Sequence, residues 1–519
     1  MLDLSQSDPA IEALNAHLLR DGGKWPLKCE QPILAGLNTW AALAESDKDL
    51  VRKIAGWTDP DREYRLDPLP ERIVDTWAAY LWGDDPRVMA GNEGDQPLMD
   101  ELLGLDPTGG GANQLASELE RAAGIGVGEG EVWSRIYLDP TEAPRPLLEW
   151  HTRRHIVPLW RGPRLLAAAI WTELPAMPGD DQAGKGKKEV WRSFECHAPG
   201  VVVNVLYRGG ASDLGQRVPL EFHPATAVLV ERWQHDLPGM LIERIPNRLR
   251  GNVQLGISEF AGIKDFLLDL NECATIGAAN MKLTARKRAI ISASVAQAAY
   301  GRYDETLTPE ESPGMPRKRP RFDSAEDVFV ADPLDAELGR SSGKPIEILE
   351  YSFDAQALID WRQDLVQSVL SRVALTGQYV GTAGDQSTGY AISGTAIRLR
   401  LIPTDKSGRA KARYWDDALP KIIGNMVRLD AAPEPGYGRA WSNREATPLI
   451  ERQPGIPTDE IEEAQRHSTL VAAGLESTET AVAALNPNRN AAWVAEEVGR
   501  IQAEQTRKTP GTIGSIFGA

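Results

Sequence analysis

The stretch Ile245–Leu270, IPNRLRGNVQLGISEFAGIKDFLLDL, constrains this chain more than any other. A Pro-Asn turn and a glycine-containing loop lead into Gly256-Ile-Ser, and an apolar periodicity then begins. Phe260, Ile263, Leu267 and Leu270 recur at helical spacing, and Ser258 is placed to cap the helix from its hydroxyl. The residues predict a tight turn feeding a long amphipathic helix that must pack on a partner surface.

A chain of 519 residues is too long for a single core, and about 100–200 residues per domain predicts three or four. Hydrophobic content of 42% and charged content of 25% are those of an ordinary globular protein. Trp is unusually frequent, at 15 against 11 Tyr and 8 Phe. Such an excess suits surfaces buried on assembly, and equally suits ordinary core positions.

The formal net charge of −17 argues against a protein that grips nucleic acid tightly, because such proteins carry a basic excess. A repressor, nuclease or histone-like role is excluded on that ground. An acidic wall that repels phosphate would instead let a duplex slide past. Cys29, Cys196 and Cys273 are far apart and odd in number, which predicts no disulfide framework and a reducing compartment. The N-terminal residues do not read as a signal peptide, and the apolar run Leu165–Trp171 is far too short to span a bilayer. A soluble protein made in a cytoplasm is expected.

Residues 1–60 read as polar helices, and a helix follows Pro70 with Ile73, Trp77, Tyr80 and Leu81 on one side and Gly83 at its end. Residues 109–130 read as a glycine-rich loop, a short helix and a second glycine cluster. From 131 to 245 short β-type runs alternate with Pro and Gly turns, which predicts an antiparallel region. After the helix at 256–290 comes a segment rich in proline and charge, with short strands near 326–332 and 345–352. A second helix is predicted over 354–376, with Leu358, Trp361, Leu365, Val369 and Val373 at helical spacing. Residues 377–394 carry five glycines and read as a flexible loop. Another helix begins near Thr395, residues 434–457 form a proline-rich joint, and two helices separated by AAGLES follow before a tail.

Chemical motifs are weak. Gly179–Lys185 (GDDQAGK) has the skeleton of a phosphate loop, but Gly186 stands where a hydroxyl must hold magnesium. Gly124-Ile-Gly-Val-Gly lacks the third glycine of a dinucleotide fingerprint. His151 and His155 are four apart, yet no Glu follows the first, and solvated histidines beside Arg153 and Arg154 are the simpler reading. No Gly-x-Ser-x-Gly elbow occurs. No catalytic residue, cofactor or metal is assigned. The densest basic run, Arg317, Lys318, Arg319 and Arg321, reads either as a partner contact or as a solvated loop.

Several phrases, in order, resemble tailed-bacteriophage portal proteins, the head-to-tail connectors. Arg72-Ile-Val-Asp-Thr-Trp with Leu81-Trp-Gly-Asp-Asp-Pro resembles the early wing helix, and Ile245-Pro-Asn with Gly256-Ile-Ser resembles the approach to the first stem helix. Gly377-Gln-Tyr-Val-Gly followed by Ile392-Ser-Gly-Thr-Ala-Ile-Arg398 resembles the tunnel loop and the start of the kinked helix. Val471–Ala481 with Glu496-Glu497, Arg500-Ile501 and Glu504 resembles the C-terminal helices. The resemblance spans about 430 residues; the Trp-rich wing and the loop 179–188 lie outside it.

The resemblance implies an α+β portal fold. Residues 1–255 would form the wing, helical and then antiparallel β; 256–288 the first stem helix; 289–352 a small α/β clip; and 353–376 the second stem helix. Residues 377–457 would hold the tunnel loop, the long kinked helix and the rest of the wing, and 458–519 an α-helical crown and tail. It implies a non-enzymatic ring, dodecameric in the virion, that passes double-stranded DNA at one capsid vertex. The ring would contact the large terminase subunit, head-completion adaptors and the major capsid protein, and no membrane. Gly377, Gln378, Tyr379, Asp385, Gln386, Ser387, Thr388 and Tyr390 would belong to the tunnel loop, whose lack of Lys and Arg implies steric rather than ionic contact with DNA. Lys282, Arg286, Lys287 and Arg288 would end the first stem helix, facing phosphate or favouring the helix dipole. Arg317, Lys318, Arg319 and Arg321 would meet partners at the clip. A non-viral ring or scaffold protein and a hydrolase with a dispersed site are the competing classes.

Overall fold

A computed structural model describes residues 8–508 except 60–61, 84, 106–112, 178–188, 236, 252–253, 286–287, 293–327, 332–345, 350–352, 378–393, 434–435, 453–459 and 487–490. The described chain is mixed α and β. Four N-terminal helices, α1 (Pro9–Leu19), α2 (Gln31–Ala44), α3 (Lys48–Ile54) and α4 (Leu69–Trp82), precede a short strand β1 (Arg87–Met89). Aspartates cap α1 and α3 by accepting backbone N–H bonds at their starts. Ile73, Trp77 and Leu81 are buried on one face of α4, as the spacing predicts. Gly83 does end that helix, but in right-handed backbone at φ −69°.

Helices α5 (Gln96–Leu103) and α6 (Leu115–Glu129) come next. The second glycine cluster is not a loop: Gly124, Gly126 and Gly128 all lie inside α6. The reason is packing. A Cβ on Gly128 would sit 3.1 Å from Ala44 and one on Gly124 would sit 3.4 Å from Val74, so small residues let α2 and α4 approach.

The antiparallel region forms two sheets. Strands β2 (Glu131–Tyr137), β3 (Leu147–Thr152) and, much later, β10 (Ile242–Pro246) pair in the order β10-β2-β3. Strands β4 (Ile156–Arg161), β5 (Arg164–Leu174), β6 (Val190–Ala198), β7 (Val201–Gly209) and β8 (Gln216–Val218) pair consecutively, and β9 (Arg232–Gln234) adds to β7. Strand β3 was not anticipated because its LLEWHT lacks strict alternation. The α1 helix lies against β5 and β6, where Leu14 and Leu18 join Trp25, Phe194 and Val205 in one core cluster.

Beyond β10 the chain runs through α7 (Lys264–Ala285), then strands β11 (Arg288–Ser292), β12 (Val328–Ala331) and β13 (Ile346–Leu349), then α8 (Ala355–Arg372). The predicted helix start at Ser258 is corrected. Ser258 and Phe260 lie in turns, Gly262 takes φ +85°, and the helix begins at Lys264. Ser258 Oγ donates to Gly128 O and accepts from the Phe260 N–H, so its hydroxyl ties this turn to α6.

A 38-residue helix, α9 (Gly394–Ala431), follows, with Pro403 and Pro420 inside it. Each proline removes one backbone donor from the helical ladder. The proline-rich joint contains strand β14 (Leu449–Glu451), which pairs antiparallel with β1. The C-terminal part has three helices, not two: α10 (Glu460–Ala472), α11 (Thr478–Leu485) and α12 (Ala491–Lys508). Helix α11 ends at Asn486, whose side chain donates to Val482 O, and α12 takes in the first residues of the expected tail.

The candidate assembly and channel elements

Helices α7 and α8 form a pair. Arg372 lies over the Phe266 ring at 4.5 Å, whereas Cys273 and Gly277 near the other end of α7 meet Leu358. Early residues of one helix therefore face late residues of the other, and the two run antiparallel. Their shared core holds Phe260, Ile263, Leu267 and Leu270 against Leu365, Val366, Val369 and Val373. Seven of the nine apolar positions read from periodicity thus converge on one cluster. Trp361 does not, because it stands 40% exposed on the other side of α8.

The three-stranded sheet closes this pair. Strand β11 leaves α7 and pairs antiparallel with β13, which leads into α8, while β12 lies parallel on the other side of β11. The order β12-β11-β13 makes one hairpin-like unit: helix, small sheet, helix. At about 1.5 Å per residue the 22-residue α7 spans roughly 33 Å.

A polar brace runs along the outside of α7. Arg62 pairs with Glu272 at 2.6 Å, the Arg65 N–H donates to Thr275 Oγ1 at 3.0 Å, and Asn271 Oδ1 accepts from the Asp67 N–H at 2.7 Å. The Asp67 carboxylate in turn receives Arg362 of α8 at 2.8 Å. The segment 62–67 therefore binds both helices at once. Lys282, exposed near the end of α7, pairs with Glu63.

The basic end of this helix is shorter than its sequence suggests. Helix α7 stops at Ala285, and Arg288 is the first residue of β11, in register with Leu349, because the β-branched run after it enters a sheet ladder. Arg286 and Lys287 lie outside the described residues, as do Arg317, Lys318, Arg319 and Arg321. Gly377 is the last described residue before the loop. Gln378, Tyr379, Asp385, Gln386, Ser387, Thr388 and Tyr390 lie outside the described residues, and so does the whole of the phosphate-loop-like Gly179–Lys185.

The described stretches on either side of residues 378–393 are tied together. Thr404 Oγ1, fully buried on α9, donates to Ala374 O at 2.7 Å. Ala374 sits just past α8 at φ +57°, the left-handed region that costs an L-residue strain.

The structure also contains a polar junction that sequence reasoning missed. Glu131 of β2 accepts from Arg244 at 2.9 Å, from the Gly256 N–H at 2.7 Å and from Trp133 Nε1 at 3.0 Å, with Arg153 at 3.4 Å. Arg153 reaches on to Glu30 at 2.7 Å. One turn along, Glu259 receives Lys411 of α9 and the Asn247 side chain, the latter at 2.8 Å. Lys411 also lies 4.3 Å over the Trp77 ring. The opening sequence phrase is thus the place where β2, α4, α6 and α9 meet the base of the helix pair. Charged residues beside strongly apolar ones, as in Glu259-Phe260 and Lys411-Ala412, are the signal available in the sequence.

The two histidines take different partners. His151 on β3 meets Glu149 at 3.2 Å, and His155 packs edge-on against Trp171, where burial lowers its imidazole's proton affinity. Among the described residues no group of three His, Cys, Asp or Glu side chains is placed to hold a metal ion, and no helix is long and apolar enough to cross a membrane.

No family model matches this chain, and no curated protein matches it. Among solved structures it is similar to a chain in the neck of a native gene transfer agent particle computed with C12 symmetry. That likeness has 13% identity and a TM-score of 0.38, and covers 81% of this chain and 89% of that one. It is also similar to a chain in the virion of a native gene transfer agent particle, at 13% identity and a TM-score of 0.37, covering 81% and 90%.

Proposed function

We propose that this chain is a portal-type subunit: a non-enzymatic component of a closed ring that forms a DNA channel at one vertex of a phage-like particle. One observation carries the reading, the antiparallel pair α7 and α8 closed at one end by the small sheet β12-β11-β13 and followed by the 378–393 segment and the long proline-containing α9. This is the order of stem, clip, stem, tunnel loop and kinked helix that the sequence phrases resemble. In the ring, the helix pair would brace the channel wall and the segment 378–393 would reach toward the duplex.

Function in such a subunit is geometric. Identical copies close a ring through two different, complementary side surfaces. The polar brace of Arg62, Asp67, Glu272 and Arg362 holds the two helices at a fixed angle to the wing, so that each copy presents those surfaces identically. The acidic balance of the chain favours passage of DNA over retention. The large terminase subunit, head-completion adaptors and the major capsid protein are the partners of this reading, with the sheet β12-β11-β13 and its connections the docking point for the first two.

Negative-stain electron microscopy with native mass measurement tests it. Rings with a central hole wide enough for a duplex and a mass near twelve subunits are expected. Monomers or dimers at every concentration and salt would overturn the proposal.

A further inference from the structure

Helix α9 carries a basic stripe on an otherwise acidic chain. Its inner side is fixed by three anchors. Gly408 lies against the Tyr80 ring of α4 with no room for a Cβ. Lys411 is buried on Glu259, and Thr404 donates to Ala374 O. Leu401, Ala412 and Trp415 are buried on the same side. Close packing at these points stops the helix from turning about its own axis. At about 100° per residue, positions 402, 406, 409 and 413 then share the outer face. They hold Ile402, Lys406, Arg409 and Arg413, all exposed.

The charge on this face is only partly balanced. Arg409 reaches back to Asp405, which also accepts from the Tyr80 hydroxyl at 2.9 Å. Lys406 and Arg413 pair with no acidic side chain among the described residues. At the next turn the sign reverses, and both acids there are taken: Asp416 by Arg452 at 2.6 Å and Asp417 by Lys421 at 2.6 Å. The three cations therefore form a patch with a defined end. A protein partner suits it poorly. Interface cores are depleted of lysine and built on apolar side chains, and Ile402 is the one large apolar side chain exposed on the described part of α9.

We propose that Lys406, Arg409 and Arg413 contact the phosphate backbone of duplex DNA. This contact rests on the ring reading above, because α9 follows directly on residues 378–393, the segment which that reading sends toward the duplex. From Lys406 to Arg413 the stripe runs about 10 Å along the helix. A duplex of that length carries about six phosphate charges over its two strands. Three cations, one of them shared with Asp405, neutralise only part of that charge. The contact is therefore weak and permits sliding, in keeping with the acidic balance of the whole chain. It is also blind to sequence, since cations on phosphate read no base edge.

The test is binding of a fluorescein-labelled, random-sequence duplex to the assembled full-length protein, read by anisotropy over a range of salt. Lys406→Gln with Arg413→Gln is compared with Arg161→Gln with Arg164→Gln, which removes two exposed cations from the β4–β5 hairpin and so the same charge. Wild-type rings are expected to bind at low salt. The α9 pair is expected to weaken binding at least about fivefold and to lower the slope of log affinity against log salt by about 2, with rings still seen by electron microscopy. The hairpin pair should change neither. Wild-type rings that bind no duplex, an unchanged slope in the α9 pair, or equal effects of the two pairs would overturn the contact and leave the ring reading standing. Loss of rings in the α9 pair alone would also overturn it, and would make the stripe a surface for a neighbouring copy. Wild-type protein that forms no ring would overturn both.

Discussion

Lys411 and Glu259 form an ion pair in which both side chains are almost wholly buried. Lys411 lies midway along α9, and Glu259 in the turn that precedes α7. Burial lowers the lysine's proton affinity, and the Glu259 carboxylate and its hydrogen bond raise it. The pair thus fixes the position of α9 against the base of the helix pair. Removing one member strands the other, so Lys411→Met is expected to cost about 3–5 kcal/mol in urea unfolding. The double variant Lys411→Met with Glu259→Leu should recover most of that loss. A single variant as stable as the parent would show that the charge is not held buried in solution.

Glu129 sets a pH dependence. Burial pushes its carboxyl up to about 7, against the pull of the Arg154 guanidinium at 2.8 Å. The folded pKa is raised above the unfolded value, so the folded state binds the extra proton between about pH 4.5 and 7. This group therefore lowers stability as pH rises through that window, and its full cost is present above pH 7. Glu129→Gln is expected to gain roughly 1–3 kcal/mol relative to the parent between pH 5 and pH 8, measured from urea midpoints. An equal difference at both pH values would contradict the assignment.

Much of this arrangement is legible in the residues because apolar periodicity is a local signal. Ile73, Trp77, Leu267, Leu270, Leu365 and Val369 were all readable as facing inward, and all are buried in one cluster. What was hidden depends on partners far along the chain. Strand β1 exists because Arg87–Met89 finds Leu449–Glu451 over 360 residues later, and no three-residue run announces that pairing. Arg288 looks like the tail of a helix until its pairing with Leu349 is known. The Glu131 junction draws on Arg153, Arg244 and Gly256, which share no local motif. The loop residues Gln378–Tyr390 were proposed from resemblance, and lie outside the described residues.

Gly130 and Gly256 mark where backbone meets backbone. Gly130 has φ +103°, and a Cβ there would lie 2.6 Å from Gly256 O and 2.7 Å from Ser258 N. Neither neighbour is a side chain that can swing aside. Gly130→Ala is therefore expected to lose about 2–4 kcal/mol, combining left-handed strain with backbone overlap. Gly239→Ala, where an added Cβ meets nothing within 4 Å, is the control and should change stability by less than about 0.5 kcal/mol. Equal effects of the two substitutions in thermal unfolding would mean that the α6 terminus and the turn at Gly256 do not touch as described.

Ala374 offers the opposite sign. It follows α8 at φ +57°, and its carbonyl accepts the buried Thr404 hydroxyl. Glycine tolerates that backbone freely, so Ala374→Gly is expected to stabilise the folded chain by about 0.5–1 kcal/mol, after the entropy lost to the more flexible unfolded state. Thr404→Val removes the donor and leaves the Ala374 carbonyl without this partner, at a cost of about 1–3 kcal/mol. The two changes act on one contact, so their effects should not add: the double variant is expected to differ from the sum of the singles by about 0.5 kcal/mol or more. Strict additivity in urea unfolding would show that the end of α8 and the first part of α9 are not coupled there.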